Sequence, residues 1–294
     1  MKKFTVFLSI IIILSLMSGC ASDEPEIQVL ATTAPVYQFT LRLCQGTDLS
    51  VSQLITENVS CLHDYTLQVR QMRDVESAHL LILSGAGMEE FMGDLLRKEK
   101  CADCSLDVPL IICGEDHAHE HTHEHEHNHE HDPHIWLSPV NAKIMANNIS
   151  NALAAQYPQY SETFADNLSE LFSELDALHH YGLETLSQLK FRELITFHDG
   201  FSYFADCFDL TILEAVEEES GSEASARELK ALIQLVADHK LPAIFIEEHG
   251  SVSAASVISR ETGAAVYTLD MAMGDRDYFE AMYHNIDTIK EALG

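Results

Sequence analysis

The chain has 294 residues, and its 47 acidic residues outnumber its 17 lysines and arginines, which gives a formal net charge of −30. This excess of negative charge argues against a nucleic-acid partner, because phosphate binding requires a positively charged surface. The charge is compatible with simple solubility or with a field that attracts cations, and composition alone does not separate the two.

The start of the chain predicts export. A basic Met-Lys-Lys is followed by an apolar stretch from Phe4 to Leu16, and Ser-Gly then leads to Cys20. These features are typical of a secretory signal, and the Ser-Gly-Cys end resembles the lipobox of bacterial lipoproteins. That resemblance implies a signal peptide over residues 1–19, a lipid on Cys20 and a linker over residues 20–25. An uncleaved membrane anchor is the alternative; either way the remaining chain lies outside the cytoplasm.

Residues 26–158 alternate short β-branched runs with amphipathic ones. The pattern predicts strands over residues 27–33, 49–55, 80–83 and 106–112, and helices over residues 36–44, 66–77, 89–98 and 139–157. Strands that alternate with helices indicate parallel pairing through right-handed crossovers. We therefore expect an N-terminal α/β lobe over residues 26–158.

A run with His at every second position and mostly Glu between interrupts this lobe over residues 117–131. Its composition is typical of a solvated, disordered loop. Every-second spacing also puts the imidazoles on one face of an extended chain, so an auxiliary low-affinity metal site is the alternative. The histidines concerned are His117, His119, His121, His123, His125, His127, His129 and His131.

A long helical pattern runs from residue 160 to about residue 190. Its apolar residues recur at three- and four-residue steps, which is the mark of one buried face. They are Phe164, Leu168, Leu171, Leu175 and Leu178. The pattern is long for a globular helix, and we interpret residues 159–191 as a rigid connector.

The alternation resumes after this helix. Strands are predicted over residues 193–197, 210–215, 243–247 and 265–269, and helices over residues 200–208, 227–239, 252–262 and 278–293. The predicted fold is therefore α/β, with two lobes of parallel sheets flanked by helices, the second over residues 192–294, bridged by one long rigid helix. The C-terminal ends of the strands would face an interlobe cleft, a usual place for a ligand.

Six cysteines follow Cys20. An exported protein can keep disulfides, but the sequence does not choose among the possible pairings. Cys101 and Cys104 have CxxC spacing, without a second CxxC to complete a zinc knuckle, so we interpret them as a structural disulfide. The other four are Cys44, Cys61, Cys113 and Cys207.

Four side chains with metal-binding groups follow predicted strands or their loops. They are His63, His134, His198 and Asp270. Three imidazoles and one carboxylate form a set that suits tetrahedral zinc. Each also has a structural alternative, because a lone His after a strand often only bonds its own loop, and Asp270 could cap a turn. Spacing alone does not select these four residues.

Several segments carry a family resemblance. Besides the lipobox and the His-rich run they are His63-Asp-Tyr, Asp132-Pro-His-Ile-Trp-Leu-Ser-Pro139, Phe197-His-Asp-Gly-Phe-Ser-Tyr-Phe204, Ile244-Phe-Ile-Glu247, Arg260-Glu-Thr-Gly-Ala264 and Leu269-Asp270. Together they resemble the solute-binding receptors of zinc and manganese ABC transporters, the cluster A-I metal-binding lipoproteins. The resemblance implies His63, His134 and His198 as metal ligands, with Asp270 or a water in the fourth position.

Residue 198 bears on the choice of metal. Manganese-selective members of that family commonly place Glu there, whereas the imidazole of His198 favours zinc. We therefore predict a lipid-anchored, monomeric, extracytoplasmic receptor that captures Zn²⁺ and delivers it to the permease of an ABC importer. A manganese or broad divalent-metal receptor, or an adhesin of the same fold, is the alternative.

A zinc-dependent hydrolase is the competing class. Three imidazoles with Glu247 nearby could hold a catalytic zinc with an open position. The sequence, however, predicts no helix that carries a His-Glu-x-x-His motif and has no Gly-x-Ser-x-Gly motif, which favours binding over catalysis. Glu247 is then a candidate partner that orients an imidazole from outside the ligand set. Because neutral imidazole is the ligand, we expect zinc affinity to fall below about pH 6.5.

Overall fold

The computed structural model describes residues 27–57, 62, 65–96, 100–112, 131–217, 224–248 and 252–294. Within them the chain forms two four-stranded sheets in which every ladder is parallel. None of the helices in these ranges has the length and apolar character of a membrane span. The predicted lipidation site Cys20, the predicted ligand His63 and the loop histidines from His117 to His129 lie outside the described residues.

The first sheet has the strand order β2-β1-β3-β4. Its strands are β1 (Val29–Ala31), β2 (Val51–Gln53), β3 (Leu80–Leu83) and β4 (Cys101–Asp103). Its inner strands β1 and β3 are buried along their whole length, as expected for a parallel sheet covered on both faces. The helices of this part are α1 (Ala34–Leu43) and α2 (Val69–Ser77).

Two predicted elements of this lobe are wrong. The helix predicted over residues 89–98 is a 3-10 helix at Glu90–Leu95, because Gly93 adopts φ 49° and ψ −125° and breaks it. The strand predicted over residues 106–112 lies instead at Cys101–Asp103, where Asp103 accepts hydrogen bonds from the backbone and hydroxyl of Ser105 and turns the chain. The later apolar run forms only an isolated antiparallel bridge between Ile112 and His131.

The predicted disulfide between Cys101 and Cys104 is also wrong, because neither cysteine forms a disulfide, and the same holds for Cys44 and Cys207. Cys104 is fully buried, and burial raises the pKa of its thiol well above the ordinary value. A protonated, inaccessible thiol is unreactive, so Cys104 acts as a small apolar core residue. Cys61 and Cys113 lie outside the described residues.

The second sheet has the strand order β6-β5-β7-β8. Its strands are β5 (Glu193–His198), β6 (Thr211–Glu217), β7 (Ala243–Glu247) and β8 (Ala265–Leu269). The helices around it are α5 (Ser202–Cys207), α6 (Ala226–His239), α7 (Val252–Thr262) and α8 (Tyr278–Leu293). The predicted alternation of strands and helices in this lobe is confirmed.

Two successive helices connect the sheets. They are α3 (Pro139–Gln156) and the long helix α4 (Ser161–Leu186), separated by a 3-10 turn at Pro158–Tyr160. Helix α4 contacts both lobes, since the Asn167 amide donates to the carbonyl of Leu43 and the Tyr181 hydroxyl donates to Asp287. The helix therefore joins the lobes along its length rather than only at its ends.

The buried core runs through both lobes. One cluster contains apolar residues from the first sheet, the long helix and the second sheet, for example Ile82, Leu175 and Phe245. A smaller cluster, which includes Ile195 and Val236, belongs to the second lobe alone. Most of the apolar burial that stabilises the fold is thus shared between the lobes.

Candidate metal centre

The predicted site residues lie around the C-terminal ends of the second sheet. His198 is the last residue of β5, Glu247 is the last residue of β7, and Asp270 directly follows β8. Neighbouring parallel strands end at the same edge of a sheet, so these side chains share one edge. His134 comes from the other part of the chain and directly precedes a 3-10 helix at Ile135–Leu137.

His134 and His198 form a close imidazole pair. Their Nε2 atoms lie 3.3 Å apart, their rings are nearly perpendicular at 88°, and both side chains are buried. With zinc–nitrogen bonds of about 2.0–2.1 Å, two nitrogens in a tetrahedral zinc site lie about 3.3–3.4 Å apart. The pair therefore has the spacing of two ligands of one zinc ion.

Asp132 fixes the orientation of His134. Its buried Oδ1 accepts hydrogen bonds from the His134 backbone N–H at 2.9 Å and from Nδ1 at 2.8 Å. Because a carboxylate only accepts, Nδ1 must carry the proton, which leaves the lone pair of His134 on Nε2, towards His198. The Asp132 carbonyl in turn accepts from the Tyr203 hydroxyl. This role of Asp132 was not predicted from the sequence, although Asp132 lies only two residues before the predicted ligand.

A glycine permits the two imidazoles to approach. A Cβ atom at Gly200 would lie 2.9 Å from His198 Cδ2, 3.0 Å from His134 Nδ1 and 2.7 Å from Met271 Cε. Any larger residue at position 200 would therefore displace the pair. The same three distances place Met271 beside the imidazoles, and its carbonyl accepts a hydrogen bond from the Trp136 indole, whose ring packs edge-on against His134.

Asp270 is held firmly by its surroundings. Asn285 clamps its backbone with two hydrogen bonds, each of 2.7 Å, and the backbone N–H of Ala272 donates to Oδ1 at 2.7 Å. The other oxygen, Oδ2, forms an ion pair of 2.7 Å with Arg276 Nη1. Burial raises the pKa of Asp270, while the Ala272 hydrogen bond and the Arg276 guanidinium oppose that rise.

The structure brings together only part of the predicted ligand set. His134 and His198 meet, whereas the carboxylate of Asp270, which adjoins Met271, is paired with Arg276. In the portion of the chain with described coordinates, no group of three or more His, Cys, Asp or Glu side chains is arranged to hold a metal ion. His63 lies outside that portion. The ligand set therefore stays a prediction, supported by one imidazole pair.

Glu247 lies next to His198 in the sheet. Strands β5 and β7 pair with Thr196 opposite Phe245, and the same parallel register, continued by two residues, puts His198 beside Glu247. Both side chains are buried. This position fits the predicted role of Glu247 as a partner that orients an imidazole.

Two parallel-sheet lobes, a long connecting helix and an imidazole pair beside the end of β5 define a two-lobed metal-binding class of protein. The chain belongs to the ZnuA family, described as zinc-uptake complex component A, periplasmic, whose model matches residues 29–292. This membership confirms the predicted family and two-lobed fold, and it agrees with a binding component of metal uptake rather than an enzyme.

Curated relatives carry metal-binding names. The zinc-binding lipoprotein AdcA of Streptococcus pneumoniae serotype 4 is 29% identical over 312 residues, which cover 99% of this chain but 61% of AdcA. The chain thus spans less than two thirds of that relative. A putative metal-binding protein of Treponema pallidum is 26% identical, with 99% of this chain and 97% of the relative covered.

Solved structures show the same architecture. A crystal structure of ZnuA superposes with a TM-score of 0.78 at 28% identity and covers 91% of this chain and 99% of that one. Zn(II)-bound AdcA from Streptococcus pneumoniae gives a TM-score of 0.76 at 27% identity, with 91% of this chain and 58% of AdcA covered.

Proposed function

We propose that this protein is an extracytoplasmic receptor that captures Zn²⁺ and delivers it to the permease of an ABC importer. The observation that carries the proposal is the buried pair of His134 and His198, whose Nε2 atoms are 3.3 Å apart. The family description as a zinc-uptake component and the zinc-binding name of the pneumococcal relative support it.

Capture would begin at the imidazole pair. His134 presents its Nε2 lone pair because Asp132 holds the proton on Nδ1, so this ligand is ready for the metal without a change of tautomer. We assign His63 as the third imidazole and Asp270 or a water as the fourth ligand. Glu247 would orient His198. With Asp270 in the fourth position, four protein ligands would close the site against a reactive water, which suits transport rather than hydrolysis.

The donor atoms favour zinc over manganese. Imidazole nitrogen suits zinc, whereas manganese prefers carboxylate, carbonyl and water oxygens. A site of three imidazoles and one carboxylate is therefore a zinc site, and a second carboxylate would be needed to turn it towards manganese.

The remaining parts of the prediction belong to the same proposal. Residues 1–19 would be a signal peptide, and a lipid on Cys20 would anchor a monomeric receptor to the cell membrane. Residues 20–25 would form the linker between this anchor and the first lobe. The lobes would comprise residues 26–158 and 192–294, with residues 159–191 as the connector. The His-rich run over residues 117–131 would supply auxiliary low-affinity metal sites and increase the local zinc concentration.

Calorimetry on a trimmed chain tests the proposal. Residues 1–20 and 117–130 are removed, while His131 is kept because it forms the bridge with Ile112. We expect one tight zinc site that outcompetes manganese and weakens as the pH is lowered, since protons compete for imidazole nitrogen. The control carries His63→Ala and His198→Ala.

The control decides where the zinc binds. A double variant that binds zinc as tightly as the trimmed parent would refute the assigned site, and so would a parent that binds only weakly. In the latter case the His-rich run would be the main metal-binding feature. A parent that prefers manganese would instead support the alternative receptor.

A further inference from the structure

Arg276 contacts two carboxylates at the candidate site. Its Nη1 lies 2.7 Å from Asp270 Oδ2, and its Nη2 lies 2.6 Å from Glu248 Oε1. The Arg276 side chain is 35% exposed and that of Glu248 36% exposed, whereas that of Asp270 is only 7% exposed. The guanidinium therefore reaches from solvent onto a buried carboxylate.

The other contacts of Asp270 are fixed by the backbone and by a buried amide. Asn285 holds its backbone on both sides, and the Ala272 N–H holds Oδ1. Ala272 adopts φ 56°, an unfavourable region for a residue with a Cβ, so the turn that orients this carboxylate is kept at a cost. Arg276 is the one long, solvent-reaching side chain among these contacts, and its guanidinium can leave while the rest stays in place.

Glu248 gives the guanidinium an alternative partner. It is adjacent to Glu247 at the end of β7, so its contact with Arg276 links the loop after β8 to the neighbouring strand end. When Arg276 releases Asp270 it keeps its ion pair with Glu248, which makes the release less costly than exposing an unpaired charge.

The backbone of Arg276 is tied to the first lobe. The amide of Gln38, on helix α1, donates to the Arg276 carbonyl at 3.1 Å, and its oxygen accepts from the Tyr278 N–H at 2.6 Å. The guanidinium is thus positioned by a contact between the lobes. A shift of one lobe against the other would move Arg276 relative to Asp270.

We propose that Arg276 is an internal competitor for the Asp270 carboxylate, which it must release before Asp270 binds the metal and which it reclaims when the metal leaves. This inference rests on the proposed function and concerns the same site. A guanidinium and a zinc ion are both cations, so they exclude each other at one carboxylate. Arg276 is therefore a positioning residue that sets how tightly and how long zinc is held.

The test is the rate at which zinc passes from the intact chain to an excess of a chromogenic chelator. The kinetic phase of zinc release that is absent from the His134→Ala variant is assigned to the candidate site. This assignment distinguishes zinc at the site from zinc bound to the His-rich run. We expect Arg276→Gln to slow this phase by about fivefold or more and to tighten zinc binding accordingly. Arg276→Lys keeps the charge and should stay closer to the wild type.

Two controls distinguish an effect of the Arg276–Asp270 ion pair from a general effect of net charge. Arg260→Gln removes one positive charge from an exposed pair with Glu261 in the same lobe and should leave the phase unchanged. In an Asp270→Asn background, Arg276→Gln should also leave it unchanged, because the contested carboxylate is gone. An equal effect of Arg276→Gln in both backgrounds, or no more effect than Arg260→Gln, would overturn the proposal.

Glu248→Gln gives an independent test that does not depend on the folding of the Arg276 variants. Without Glu248 the guanidinium pairs with Asp270 alone, so the site should release zinc faster. Unchanged or slower release would contradict the competitor role. A wild-type chain without any tight zinc phase would overturn the proposed function and this inference together, whereas a normal wild-type phase with inert variants would overturn the inference alone.

Discussion

Among single residues, Asp132 has the clearest expected effect on metal binding. Its Oδ1 holds both the backbone and Nδ1 of His134. We expect Asp132→Ala to weaken zinc binding by about 10- to 100-fold, because the imidazole loses its fixed tautomer and orientation. Asp132→Asn, which can still accept from Nδ1, should weaken it less. Competition with a chelator measures the affinities, and equal losses in both variants would contradict an orienting role.

Glu89 is a buried carboxyl in the first lobe. It accepts hydrogen bonds from the Thr32 hydroxyl and from the backbone N–H groups of Ser84 and Gly85. Burial nevertheless raises its pKa from 4.5 to about 7, because these hydrogen bonds only partly offset the loss of water. The folded protein therefore binds a proton at Glu89 in a pH range where the unfolded chain does not.

This shift predicts how stability depends on pH. A carboxyl whose pKa is raised by folding contributes stability that is present below the unfolded pKa and is lost as the pH rises through the folded pKa. Between about pH 4.5 and pH 7, the free energy of unfolding of the wild type should therefore decrease by up to about 3 kcal/mol more than that of the Glu89→Gln variant. Urea unfolding of both chains without metal measures the difference. Parallel pH profiles would contradict the raised pKa.

Some site residues were predictable from the sequence and others were not, for a physical reason. His134 and His198 lie in specific motifs, and both were predicted as ligands of one metal ion, so their meeting was expected. Nothing in the sequence distinguishes an Asp270 that binds metal from one paired with Arg276, because that contact depends on the turn through Ala272. The close approach of the His134 and His198 imidazoles also requires Gly200. The role of this glycine is visible only when the neighbouring imidazoles are in place.

Among the elements, the long helix α4 has one position where size is critical. A Cβ at Gly182 would lie 2.3 Å from Phe208 Cε1 and 3.1 Å from Ile286 Cδ1, and both of these side chains are buried. We expect Gly182→Ala to lower the free energy of unfolding by about 1–2 kcal/mol, because overpacking outweighs the better helix propensity of Ala. Ser169→Ala, on the exposed face of the same helix, should not destabilise. Thermal unfolding measures the stability of both variants. A Gly182→Ala variant that is more stable than the wild type would show that the neighbouring side chains move aside.

The accuracy of the predicted elements follows from their periodicity. The bounds of β7, α7, β8 and α8 agree with the predicted ranges, since each has a strong period and clear ends. The failures fall between residues 89 and 112, where Gly93 breaks a helical pattern and an apolar run after Asp103 does not pair as a strand. In both cases a local turn overrides the hydrophobic pattern, and such turns are weakly encoded in a single sequence.

For the whole molecule, the shared core predicts a single unfolding transition. Residues of both sheets and of the long helix belong to one buried cluster, and the single tryptophan, Trp136, is buried and bonded to Met271 across the lobes. We expect urea curves from tryptophan fluorescence and from far-ultraviolet circular dichroism to coincide in metal-free protein. Separate midpoints would show that the lobes unfold independently and would contradict the shared core.

The parallel ladders have a consequence for the export of the newly made chain. Each ladder joins strands that are separated by a crossover; β1, for example, pairs Val29 with Leu80 of β3. Such distant pairings form slowly, because the chain loses loop entropy before the contacts compensate. A newly made chain should therefore remain unfolded, and able to pass through a membrane, for longer. That delay suits a member of a family described as periplasmic, because a chain that is made on one side of a membrane crosses it more readily before it folds.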